Sequence, residues 1–169
     1  GDTLWTRTYK IYEEWGADEY GWAIKEVNDG YIIAGIVNRR QTSQREGFLL
    51  KIGKNGETIW KRNIAKSLYA LSCDGKGCVA TGTSNSGYLY VTKLNSSGDS
   101  LWAYEWGRGA GVIGGGGLSI KPTEDGFIIA GGIFQASVDV YLLKINSQGD
   151  SLWSGIYGKS GWEVGYSVC

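Results

Sequence analysis

The chain repeats itself, and the repeat leaves few folds open to it. Gly1-Asp2-Thr3-Leu4-Trp5, Gly56-Glu57-Thr58-Ile59-Trp60, Gly98-Asp99-Ser100-Leu101-Trp102 and Gly149-Asp150-Ser151-Leu152-Trp153 share one pattern, with successive Trp 55, 42 and 51 residues apart. Nine residues ahead of each of the last three Trp stands a Lys (Lys51, Lys93, Lys144) inside an apolar run. A third anchor precedes the Lys: Asp29-Gly30-Tyr31-Ile32-Ile33-Ala34-Gly35, Lys76-Gly77-Cys78-Val79-Ala80-Thr81-Gly82 and Asp125-Gly126-Phe127-Ile128-Ile129-Ala130-Gly131. Three anchors kept in order through three copies mark one supersecondary unit repeated in tandem.

Each copy reads as four short strands, A to D. Strand A covers Trp22 to Val27, Tyr69 to Cys73 and Leu118 to Lys121; B follows the Asp-Gly turn, C carries the Lys and D the Trp. The segments are β-branched and aromatic, and Gly, Asn, Asp or Ser punctuates them. Asp-Gly between two such runs is a hairpin signal, because Gly accepts the positive φ of a tight turn. Asn55-Gly56, Ser97-Gly98 and Gln148-Gly149 do the same between C and D. No stretch sustains a helical period. Four antiparallel strands per repeat is the pattern of a β-propeller blade, and stacked blades bury each other's flat faces. Trp5, Trp60, Trp102 and Trp153 are therefore expected as core residues of the blades.

The turn-then-Trp element resembles the PQQ-type propeller repeat, in which a Gly-containing turn leads into a strand bearing Trp. The fuller pattern is similar to repeats of uncharacterised secreted propeller proteins of bacteria and archaea, and it differs from the sialidase Asp-box, whose Gly and aromatic stand one residue closer. The resemblance spans nearly the whole chain. It implies an all-β architecture and a secreted setting, and it specifies no activity.

The expected division is a single repeat domain over 1–169: strand D of a preceding blade in 1–10, blades in 18–64, 67–106 and 115–157, and the first strand of a further blade in 161–169. Three blades are fewer than the roughly 4–8 that close a ring. Either the chain is a piece of a longer propeller, the favoured reading, or separate chains complete the shape. The absence of Met points the same way, to a processed chain or an excised piece.

Composition narrows function mainly by exclusion. Lys plus Arg and Asp plus Glu number 17 each, so no net field draws nucleic acid or an acidic membrane. No apolar run is long enough to span a bilayer. With no His there is no Ser-His-Asp triad and no imidazole metal site, and neither metal nor cofactor is expected. Gly109-Ala110-Gly111-Val112-Ile113-Gly114 matches a dinucleotide-binding string but lacks the helix that would cradle phosphate. Asn95-Ser96-Ser97 is a glycosylation sequon in a turn. Cys73 and Cys78 flank a hairpin turn: a disulfide there fits an oxidising compartment, and two small buried residues fit equally well.

Length varies between copies only in the B–C and D–A connections, which alternating strand direction places on one face. Function concentrates on such loops. The ligand-face candidates are Tyr12, Glu13, Glu14, Trp15, Asp18 and Glu19 in the first D–A loop, Arg39, Arg40 and Arg45 in the B–C loop from Val37 to Glu46, and Arg108 in the Gly-rich loop. The competing expectation is that these charges simply solvate the surface or pair with each other. The function expected is a non-enzymatic, extracellular or cell-surface binding or scaffold module with a protein or glycan partner. The alternatives are a carbohydrate-active enzyme using loop carboxylates and a subunit that assembles through its open ends. Asp29, Asp125 and the recurring Lys are expected to be structural, the Lys snorkelling at the blade edge.

Overall fold

The computed structural model describes residues 2–12, 16–40, 42, 44–64, 66–74, 77–107, 115–134, 137–159 and 161–169. Among them every regular element is a strand. The first sheet holds β1 (Ala17–Val27), β2 (Gly30–Arg39), β3 (Gln44–Gly53) and β4 (Thr58–Ile64). The second holds β5 (Ser67–Asp74), β6 (Gly77–Thr83), β7 (Leu89–Asn95) and β8 (Ser100–Trp106), and the third β9 (Gly115–Thr123), β10 (Gly126–Phe134), β11 (Val138–Asn146) and β12 (Ser151–Tyr157). Strand order in each sheet follows the sequence, and every ladder is antiparallel.

The middle strands are apolar on both faces because each lies between layers. In β2 and β3, Ile32, Ala34 and Leu49 point toward the second sheet and join Leu68, Leu71, Ala80 and Leu94 in one core. Their neighbours Val37, Phe48, Leu50 and Ile52 point the other way, under Tyr9, Ile11 and Tyr12. A third core joins Val79, Leu89 and Val91 to Ile129, Leu143 and Ile145, between the second and third sheets. The period-2 alternation of a strand thus sends successive residues into different inter-sheet layers. β5 packs against β1, β2 and β3, and β9 against β5, β6 and β7, so the sheets stack in chain order through their first strands.

The recurring Gly and Trp meet across this stacking, one unit out of step. Gly98 has φ +81°, and a Cβ there would lie 2.7 Å from Trp60 Cη2. Gly56 bears Trp5 in the same way, and Gly149, at φ +91°, bears Trp102 and Tyr104. Trp5, Trp60 and Trp102 therefore each rest on the C–D turn of the following unit. Trp60 and Trp102 are half-buried in the inter-sheet cores. Trp5 and Trp153 are 38% and 45% exposed, which corrects the expectation that all four are core. Trp153 has no later turn among the described residues to rest on, and Trp5 covers its turn from outside the stack.

The same turns carry a linked side-chain choice. Asn95 Oδ1 accepts the N–H groups of Ser97 and Asp99, and its Nδ2 donates to Asp99; Asn146 repeats this with Gln148 and Asp150. The first sheet has Gly53 and Glu57 instead, and a Cβ on Gly53 would meet Glu57 Oε1 at 1.9 Å. Introducing Gly53→Asn together with Glu57→Asp is expected to stabilise the protein by about 1 kcal/mol through lost chain freedom and gained hydrogen bonds. Gly53→Asn alone should fall below the double variant by a similar amount in denaturant unfolding.

The two ends form no ladder among the described residues, and residues 2–10 pair with no described strand. Residues 2–10 are held instead by Trp5 Nε1 donating to the Lys54 carbonyl (3.1 Å), Tyr9 Oη to Gly56 (2.8 Å) and Lys61 Nζ to Lys10 (2.5 Å). Residues 161–169 make one bridge, Trp162 to Val138, and Gly165 N donates to Gly131 at 3.2 Å. The presumed loop from Val37 to Glu46 is mostly hairpin: Val37 pairs with Glu46, Asn38 with Arg45 and Arg39 with Gln44. Pairing satisfies backbone groups that an open loop would leave to water.

Candidate functional site

The start of β1 lies beside the end of β2, with Arg40 N donating to Gly16 O at 2.9 Å, so the D–A and B–C connections do share one edge. That edge carries two clusters.

The first contains the charged candidates, and they bind one another. Arg40 grips both carboxylate oxygens of Asp18 at 2.6 and 2.9 Å, holding that carboxyl below the usual range. Glu19 Oε1 accepts the N–H groups of Ile11 and Tyr12 at 2.9 and 2.7 Å. Tyr12 Oη donates to Glu46 at 2.8 Å, and the Arg39 guanidinium lies 4.2 Å over the Tyr12 ring and 3.5 Å from Glu46. These groups clasp residues 9–12 against the first sheet. Asp18 and Glu19 thus each hold partners within the chain. Arg45 is exposed. Glu13, Glu14, Trp15 and Arg108 lie outside the described residues, as does the 109–114 glycine run.

The second cluster is aromatic, and reading the sequence missed it. Pairing of β1 with β2 slips between Gly21 and Ala23, leaving Trp22 out of the ladder. β5 slips between Leu68 and Ala70, leaving out Tyr69, and β9 between Gly117 and Ser119, leaving out Leu118. These are β-bulges at one equivalent position of each first strand, and a bulge re-aims its side chain. Strand A, read from sequence, begins at these same three residues; the Gly before Trp22 and Leu118 was the available signal. Trp22 is 57% exposed and meets Tyr69 edge-on at 5.9 Å. Tyr69 and Leu118 line a depression of about 280 Å³ with Thr83, Gly116, Gly132, Phe134, Val138 and Val164. Phe134 also meets Trp162, which is 82% exposed, at 6.5 Å. A further depression of about 230 Å³ lies among Gly21, Trp22, Ala23, Ile24 and Ile33.

The opposite edge explains the recurring Lys. Lys51 is buried and its Nζ lies 2.8 Å from Asp29; Lys144, equally buried, bonds Asp125 and Thr123. In the first and third sheets snorkelling is thus replaced by ion pairs within the sheet. In the second unit the turn Asp is Lys76, and Lys93 reaches the Ser147 carbonyl instead, at 3.4 Å. Asp29 lines a depression of about 300 Å³ with Lys51, Asp74 and Cys78. Cys78 is joined to Cys73 directly across the β5–β6 hairpin, and Cys169 is an exposed free thiol. The Asn95 amide of the sequon is engaged in its own turn. Among the described residues no three His, Cys, Asp or Glu side chains gather as metal ligands.

Hydrogen bonding to the paired lysines holds the carboxyls of Asp29 and Asp125 below their ordinary range. A depressed folded value stabilises above the unfolded pKa of about 3.9 and loses that contribution as pH falls through the folded value. Asp29→Asn/Asp125→Asn should therefore melt below the wild type at neutral pH. The gap should close as pH drops from about 5 to about 2, which melting curves across that range would check.

No protein-family model matches the chain, and no curated protein matches it.

Proposed function

We propose that the three sheets are consecutive blades of a β-propeller of the PQQ-like repeat type, and that the chain is a non-enzymatic binding module of the cell exterior. Its ligand face is the edge where the B–C and D–A connections meet. The observation that carries this reading is the aromatic cluster of Trp22, Tyr69, Phe134 and Trp162 on that edge, in which Trp22, Phe134 and Trp162 are exposed and Tyr69 is half-buried. Soluble proteins expose contiguous apolar surface sparingly, and such patches mark interaction sites. Of the loop carboxylates, Asp18 and Glu19 support enzymatic hydrolysis poorly, because they already hold internal partners. The Cys73–Cys78 disulfide favours an oxidising compartment.

A second reading, assembly through an open end, is favoured by Leu152, Trp153, Ile156 and Tyr157 on β12, all 45% or more exposed. Screening the chain on a combined glycan and peptide array, with hydrogen exchange mapping of any ligand found, tests the first reading. Protection at β1, β5 and the β10–β11 connection, with the ligand recovered unchanged, is the expected result. Cleaved ligand, or protection confined to β12, would overturn it.

A further inference from the structure

We infer that the bulged side chains of the first strands form a stacking track for a neutral polysaccharide, one sugar ring to each depression. This deepens the binding-module reading and rests on it. A bulge leaves one residue unpaired and breaks the ladder locally, yet here it recurs at the same position of β1, β5 and β9. Each sheet slips a second time between its third and fourth strands, leaving out Ile59, Leu101 and Leu152, but it is the first-strand bulges whose side chains line the two depressions. These bulges present Trp22, Tyr69 and Leu118, side by side along the edge through which the sheets stack.

Size and charge choose the ligand class. The two depressions, about 230 and 280 Å³, each fall short of the roughly 300–1,000 Å³ that encloses a whole small molecule. They suit an extended chain that sets one unit in each while its remainder stays in solvent. Neither lining contains Lys, Arg, Asp or Glu. A phosphate, uronate or charged peptide side chain placed there would lose water and find no counter-charge. A neutral pyranose offers apolar C–H faces to the rings and hydroxyls to Tyr69 and Thr83. A polyproline ridge is served by an aromatic-lined groove, whereas Trp22 and Tyr69 stand at 75° to each other with separate hollows beside them.

Calorimetric titration with cellohexaose, xylohexaose and mannohexaose, beside a hexamer of galacturonic acid and a proline nonamer, tests the inference. At least one neutral hexasaccharide is expected to bind and to quench Trp fluorescence. Trp22→Ala and Tyr69→Ala should each weaken it about tenfold, the scale of one lost aromatic contact, with Tyr69→Phe keeping the ring and an unchanged circular dichroism spectrum showing that the fold persists. The inference is overturned if no neutral hexasaccharide binds, if the acidic hexamer or the proline peptide binds in their place, or if both alanine variants bind as the wild type does. A proline peptide sensitive to Trp22→Ala would leave the binding module standing and remove only the sugar. An array ligand mapped away from this edge would remove the module reading itself.

Discussion

Trp102→Ala is expected to cost about 3 kcal/mol of unfolding free energy, and Trp153→Ala less than about 1 kcal/mol, although both occupy the same place in the same motif. Trp102 packs against the core that joins the second and third sheets and rests on the turn of Gly149. Removing it deletes a large ring from an inter-sheet layer and leaves a cavity. Its half-burial keeps the cost at the lower end of the range for core Trp. Trp153 stands 45% exposed on β12 and rests on no turn among the described residues, so truncation there removes little buried surface. In a chain of this size 1 kcal/mol corresponds to about 2–4 °C, so the two variants should melt several degrees apart. Equal effects would mean that the motif stabilises its own strand and does not join units.

The second large effect is expected at the partner glycine. Gly98→Ala meets two penalties at once: a φ of +81° that L-residues adopt rarely, and a Cβ 2.7 Å from Trp60 Cη2. Strain of about 1 kcal/mol and overpacking of about 2 kcal/mol together bring the loss near 3 kcal/mol. Gly16 separates the two terms. Its φ is +91°, but nothing lies within 4 Å of the Cβ that alanine would add. Gly16→Ala should therefore show the strain alone, about 1 kcal/mol, and the difference between the variants is the steric cost of crowding the Trp. Denaturant unfolding of both proteins measures it.

Much of the architecture was legible because it is local. A tight turn needs Gly where φ turns positive, and a strand needs alternation, so Gly30, Gly126 and the runs that follow them announce β2 and β10. The all-β class and the three four-strand units follow from such signals. What escaped were relations between units. The Gly and the Trp sit in one five-residue motif, and nothing in that motif says that each Trp belongs to the glycine of the next copy. The bulges escaped for a related reason. Trp22, Tyr69 and Leu118 look like ordinary strand beginnings, and only the partner strand reveals that they stand outside the ladder. The pairings among the charged candidates also escaped, because charge on a presumed loop looks the same in sequence whether it faces solvent or, as with Arg40 on Asp18 and Glu19 on the backbone of Tyr12, is paired within the chain.

The account turns on the one-unit offset between Trp and glycine, and a double-mutant cycle on Trp60 and Gly98 measures it directly. If Trp60 bears on Gly98, the crowding caused by Gly98→Ala disappears once Trp60 is shortened to Leu. The two changes should then be non-additive by about 1.5–2 kcal/mol, while Trp60→Leu and Gly16→Ala add within about 0.5 kcal/mol. Additive losses at Trp60 and Gly98 would contradict the account.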